Sequence, residues 1–188
     1  MTESELADYS GKFDPKFSYD KLSKETLLKL LKMYSQYMFR LDGFWYLAVM
    51  EKCGNDVAFD CDVKVWERLQ PYETKAVSSL LNIQGNDVVT VMKFMQASLW
   101  TLVSYSDYVI DIKNNDHAVV TYRNCPILHA MEREGTGREK LICQEMEPKM
   151  FGIIAHHFNP KIKIIGLKVP PRTDYKDVCC QWQYKLDR

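Results

Sequence analysis

The sequence predicts an α+β fold: an N-terminal helical part packed with an antiparallel β-sheet of about four strands, covered by helices. Two observations carry that expectation. Through roughly the first 105 residues apolar side chains recur at spacings of three and four, the period of a helix face; beyond them come β-rich runs bounded by turn residues. The second half reads strand, strand, helix, helix, strand, strand, and an antiparallel sheet with helices on one face is the natural packing of that order. The composition agrees, since 46% apolar and 27% charged residues over 188 positions is a globular balance and a length for one domain.

Residues 1–20 are polar and are expected to be poorly ordered or draped on the surface, leaving 21–188 as a single domain, helical over 21–105 and sheet with helices over 106–188. Ser23 can cap a first helix whose apolar positions include Leu27, Leu30, Leu31, Tyr34, Met38, Leu41, Trp45 and Val49, with Gly54 as its stop. Asp42-Gly43 suggests a bend in it. A second helix is expected to start near Asp60 or Asp62 and to run to Gly85, with Pro71 as a break. A third follows Asn86-Asp87 and covers Val88, Val91, Met92, Met95, Leu99, Trp100 and Leu102. Two runs around Asn114-Asn115-Asp116 then read as a hairpin. Cys125-Pro126 opens a short helix ending at Gly135. A longer helix runs from about Gly137 or Arg138 to His157, with Pro148 suggesting a kink. Two strands over 161–169 and 178–186 close the chain.

Charge excludes some functions. Residues 1–94 carry 12 basic and 14 acidic side chains and residues 95–188 carry 13 and 11, so neither half is a polycation and no general nucleic-acid binder is expected. No stretch approaches the roughly 18 apolar residues that span a bilayer, and the N-terminus lacks the apolar core of a signal peptide. The expected setting is therefore cytoplasmic, without membrane partners. Six cysteines in a reducing compartment are more often buried, catalytic or metal-bound than disulfide-bonded.

Cys125 precedes a proline at the first helical position, so its sulfur sits at an N-cap, where the helix dipole favours a thiolate. Cys143 lies on the next helix. Cys180 shares a strand face with Trp182 and Tyr184, and Cys179 alternates to the opposite face. If the aromatic face is the inner one, Cys125, Cys143 and Cys180 can meet beneath the helices. His129, one turn after Cys125, would complete a tetrahedral zinc site. The competing reading is three buried thiols. Glu147, one turn after Cys143, is either a general base or fifth ligand, or a solvated glutamate. His156-His157 fits a capping or surface pair. Asp42 interrupts an otherwise apolar helix stretch; it is either a pocket carboxyl with a raised pKa that moves protons, or an N-cap at a helix break. The four tryptophans read as core. The one Gly-x-Gly, Gly135-Thr136-Gly137, lies between helices, and no H-E-x-x-H or G-x-S-x-G occurs.

The order Cys125-Pro126, Gly135, Cys143, Asn159-Pro160, Pro170-Pro171 and Cys180-Gln-Trp-Gln-Tyr resembles the L-2-amino-thiazoline-4-carboxylic acid hydrolase-like proteins, a bacterial and archaeal family. More distantly it is similar to the 4-vinyl reductase domain, an α+β ligand-binding fold. Leu41-Asp42-Gly43-Phe44-Trp45-Tyr46 and Asp62-Val63-Lys64-Val65-Trp66 look like that family's D-x-x-W-F and D-x-x-V-W segments, with Tyr46 replacing the Phe. The resemblance covers about residues 25–186. It implies a prokaryotic protein whose sheet holds Cys125, Cys143 and Cys180. By analogy it implies a hydrolase of a small amide-like or sulfur heterocycle; the residues themselves add the expectation of zinc as cofactor on the thiols, with Asp42 or Glu147 moving protons. A cysteine nucleophile at Cys125 with His129 or His156 as base, and a non-catalytic ligand-binding or sensor module with a structural cysteine cluster, are the alternatives. The partner in each case is a small-molecule ligand, and a homodimer is allowed.

Overall fold

The computed structural model describes residues 5–103 and 107–187. Residues 1–4 of the polar N-terminal segment, and the side chain of Leu102, lie outside the described residues. From residue 5 the segment runs along the surface, anchored where the Leu6 N–H donates to the Lys21 carbonyl and the Ser23 N–H donates to that of Leu6.

Two long helices form the N-terminal part. Helix α1 spans Lys24–Cys53, its N-terminus capped by the Ser23 side chain, which accepts the Thr26 N–H. It runs without interruption through Asp42-Gly43, so Asp42 is a mid-helix residue and not an N-cap. Helix α2 spans Asn55–Leu80 and starts immediately after Gly54, whose φ of 87° lets one residue end α1 and open α2. It therefore begins before Asp60 and Asp62. Pro71 does not break it. The Glu67 carbonyl that Pro71 cannot serve lies on the exposed side of the helix, where water can satisfy it. Helices α3 (Val88–Ala97) and α4 (Leu99–Val103) follow, α3 capped by Asp87.

Strands β1 (Tyr108–Asn114) and β2 (His117–Tyr122) form the expected hairpin. Helix α5 (Pro126–Glu134) ends on Gly135 in the left-handed conformation. The long helix expected next is split: one turn, α6 (Glu139–Leu141), a π-helical turn over Ile142–Met146, then α7 (Glu147–Phe158). The wide turn lets Pro148 fall in the first turn of α7, where a missing N–H is tolerated. Strands β3 (Ile162–Lys168) and β4 (Cys180–Leu186) complete a four-stranded antiparallel sheet ordered β1-β2-β4-β3.

The sheet's inner face is read off its alternation. Ala118, Val120 and Tyr122 on β2 and Trp182, Tyr184 and Leu186 on β4 are buried, and Tyr122 pairs directly with Cys180. Against this face pack Leu128 and Met131 of α5, Met150 and Ile154 of α7 and Phe94 of α3, in one core that extends to Trp66 of α2. The chain is thus an α+β domain with helices on one side of an antiparallel sheet. No helix among the described residues is long and apolar enough to cross a membrane.

Gly166 on β3 leaves room for the Trp182 ring. A Cβ there would stand 2.5 Å from Val169 Cγ2 and 3.2 Å from Trp182 Cζ3. Gly166→Ala is expected to lower stability by about 1–3 kcal/mol in chemical denaturation. An unchanged midpoint would mean that Trp182 is not held against β3.

Candidate functional site

The predicted site residues divide chiefly between two adjoining spaces. The outer one is a cleft of about 480 Å³ between α1, α2 and the α5–α7 segment. Asp42 projects into it from α1, Asp62 from α2, and Glu147 from the first position of α7. The inner one is a chamber of about 40 Å³ against the sheet, lined by Cys125, Cys143, Cys179, Cys180, Glu147 and Trp182. That volume holds roughly two or three water molecules. Glu147 and Trp100 line both spaces and so form the wall between them.

The cleft has an aromatic side. Phe39 stacks on Trp66 at 5.9 Å, and Trp100 lies 4.7 Å from Phe39 and 4.9 Å from Trp66. Burial of Trp66 at 2% exposure gives that side a rigid floor. The Trp45 ring, by contrast, is 64% exposed, so not every tryptophan is core.

The three carboxyls sit in poor solvent. Burial raises the Asp42 pKa, and the facing Asp62 carboxyl and Trp66 side chain offset part of the rise. Asp62 is pushed up to about 7, first by burial and then by the Asp42 charge. Glu147 is also pushed up to about 7, by burial and by the Asp62 charge. Asp62 is therefore the electrostatic link between the other two. The Arg138 guanidinium lies 4.7 Å above the Tyr46 ring and is paired to both oxygens of Glu134 at 2.6 and 2.8 Å. Its charge favours the ionised form of Asp42 and Asp62, but as a smaller effect than burial. Three carboxyls thus face a space whose nearby guanidinium is shared with a fourth.

The thiols of the inner chamber lean the other way. Burial pushes the Cys143, Cys179 and Cys180 thiols up, so they are neutral at physiological pH. Cys180 faces inward with Trp182 and Tyr184, as the strand period requires. The Cys125 sulfur accepts the Leu128 N–H at 3.4 Å, the geometry expected of an N-cap. Trp182 Nε1 and the Tyr184 hydroxyl are buried without a hydrogen-bond partner among the described residues.

His129, expected to join Cys125, Cys143 and Cys180, stands next to Cys179. Its Nε2 lies 3.8 Å from the sulfur of Cys179, which also donates to the Arg123 carbonyl at 3.4 Å. Contrary to expectation, Cys179 is not on the opposite sheet face. It precedes the first residue of β4, so the strand alternation does not govern it, and it is buried to 1% exposure at the chamber wall. Among the described residues no group of three or more His, Cys, Asp or Glu side chains is arranged to hold a metal ion. His156 and His157 stand apart from the site: His156 Nε2 lies 3.1 Å from the Ile162 carbonyl and His157 packs on Phe158.

Sequence reading did not single out Asp62, Arg138 or Cys179 for this site. For Asp62 a signal existed, since it lies one turn before Trp66 on the buried side of α2.

A protein-family model describing a family of unknown function (DUF6125) matches residues 20–186, and the chain belongs to that family. No curated protein and no solved structure gives a significant match.

The raised carboxyls have a consequence for stability. Asp62 binds its proton more tightly in the folded state, so its contribution is fully present below the ordinary value of 3.8 and is lost as pH rises through about 7. Asp62→Asn removes that loss. By chemical denaturation the variant is expected to be more stable than the natural protein at pH 8, by on the order of 1–3 kcal/mol, with the difference shrinking as pH falls and nearly gone at about pH 4. A variant destabilised equally at both pH values would contradict this.

Proposed function

We propose that this member of the family binds a small organic molecule in the cleft between α1, α2 and the α5–α7 segment, and that Asp42, Asp62 and Glu147 exchange protons with it. The observation that carries the reading is the convergence of three carboxyls with raised pKa values on one cleft of about 480 Å³. The cleft's lining describes the ligand. A flat or apolar body fits against Phe39, Trp66 and Trp100, and a nitrogen carrying positive charge or N–H donors fits the carboxyls.

Proton transfer is the chemistry such groups perform. A carboxyl that titrates near 7 gives a proton at neutral pH, and its ionised neighbour takes one. Glu147 is best positioned for this, because it borders both spaces and has no hydrogen-bond or ion-pair partner among the described residues. Hydrolysis of a small amide-like or sulfur heterocycle needs both transfers: removal of a proton from the attacking water and delivery of one to the departing nitrogen or sulfur. The resemblance to thiazoline hydrolase-like proteins points to the same class of reaction. Binding without turnover is the reading of a sensor or accessory module.

A second reading gives the inner chamber to zinc. What favours it is that Cys125, Cys143, Cys180 and Glu147 line one small space. The side chains as they stand do not form a ligand set, so the ion would have to draw the sulfurs together and deprotonate them.

A panel of small heteroaromatic amines and thiazoline-type cyclic amidines, read by thermal shift, tests the first reading. At least one member is expected to raise Tm by a few degrees, as ligand linkage requires. Asp62→Asn and Glu147→Gln are expected to abolish the response, and Cys143→Ala to keep it. The second reading predicts the reverse pattern, with stoichiometric zinc in the purified protein. A response that survives both carboxyl substitutions overturns the proposal.

A further inference from the structure

Helix α1 has a second face that the described residues leave largely uncovered, touched only where the Tyr19 hydroxyl reaches that of Tyr34. Leu31, Tyr34, Tyr37, Leu41, Phe44 and Trp45 are each between 47% and 68% exposed. Their positions form a heptad pattern. Leu31, the half-buried Met38 and Trp45 follow one another seven apart; so do Tyr34 and Leu41, and Tyr37 and Phe44. The exposed parts of these side chains amount to roughly 700 Å², near the 800 Å² or so that each partner of a stable complex contributes and above the patch sizes ordinary for a monomer.

We infer that α1 is the interface of a homodimer in which two copies of the helix pack antiparallel about a twofold axis near Tyr37 and Met38. Three observations select a second copy as the occupant. First, the ridge has its own complement beside it. A groove of about 410 Å³ between α1 and α2, lined by Leu41, Trp45, Val49, Val65 and Leu69, runs along the outer side of the same helices. Ridge into groove, made twice, is an isologous contact that closes at two chains. Second, the stripe lies near the middle of the 30-residue α1, so an antiparallel pair overlaps along all of it. Leu31 then stands level with Phe44 of the other copy, and Tyr34 with Leu41. Third, the same register brings Lys24 level with Glu51, both exposed, so opposite and not like charges stand at the same height at each end of the stripe.

The inference does not rest on the proposed function, but it bears on the site. Asp42 and Asp62 line the outer groove as well as the cleft, and Phe44 lines the cleft while forming part of the ridge. A partner helix seated there closes the outer side of the carboxyl pair to water.

Sedimentation equilibrium of the full chain tests this. A dimer of twice 22.0 kDa is expected. Leu41→Glu combined with Trp45→Glu is expected to give a monomer, raising the dimer dissociation constant at least about 100-fold, with the far-ultraviolet circular dichroism unchanged. If that variant loses its helical signal, Leu31→Lys with Tyr34→Lys decides, because neither residue lines the cleft or the groove. A monomeric natural chain at every concentration measured overturns the inference. So does a dimer that persists in a folded variant.

Discussion

Three carboxyl groups drawn out of water, with too little positive charge beside them, constrain the rest of the site. Burying an ionised carboxylate without a partner is costly, and proteins resolve that by pairing it, bonding it or keeping it protonated. Here pairing is incomplete. Arg138 is held by Glu134, and Asp42 and Asp62 face each other, so the Asp42 charge makes ionisation of Asp62 harder while the Asp62 carboxyl eases that of Asp42. The long helices α1 and α2 enforce this, because their packing fixes the two aspartates across one seam, while the π turn before α7 delivers Glu147 to the same space. The protein thereby stores protons near neutral pH in a cavity. Stored protons near a cavity are a common basis of acid–base function.

The inner chamber obeys the same low-dielectric rule with the opposite result. Thiols have high pKa values in water and higher ones out of it, so burial leaves Cys143 and Cys180 neutral and weakly nucleophilic. The sulfurs then behave as soft, apolar lining beneath a carboxyl that carries the charge. This inverts the weight that the sequence suggests. Six cysteines draw attention first, but the carboxyls of the outer cleft have the titration behaviour that chemistry needs. The aromatic floor of Phe39, Trp66 and Trp100 borders the cleft, and its Trp100 lines the inner chamber as well.

Local chemistry made much of the fold legible. Ser23, Asp87 and Cys125 each announce a helix start, and each caps one. Asn114-Asn115-Asp116 marks a hairpin, and the strand period aims Cys180 inward with Trp182 and Tyr184. Where the reading went astray, two signals competed for one residue. Asp60 and Asp62 look like N-caps, but Gly54 already ends one helix and opens the next, so these aspartates belong to the interior of α2. Pro71 looks like a break, but the carbonyl it frees faces solvent. The site was half visible for a related reason. An acidic residue on an apolar helix face signals burial, which exposed Asp42 as unusual, but periodicity names a face and not a partner. That Asp42 meets Asp62, that Arg138 covers Tyr46 and that His129 meets Cys179 are facts of tertiary packing between distant segments.

The central claim is that two carboxyls of this cleft change charge near neutral pH. Carbon-13 NMR titration of the side-chain carboxyl carbons, assigned through Asp62→Asn and Glu147→Gln, measures that directly. The account predicts midpoints for Asp62 and Glu147 near 7, with Asp42 displaced upward from its ordinary value. Midpoints for all three close to the usual carboxyl value of about 4 would contradict it.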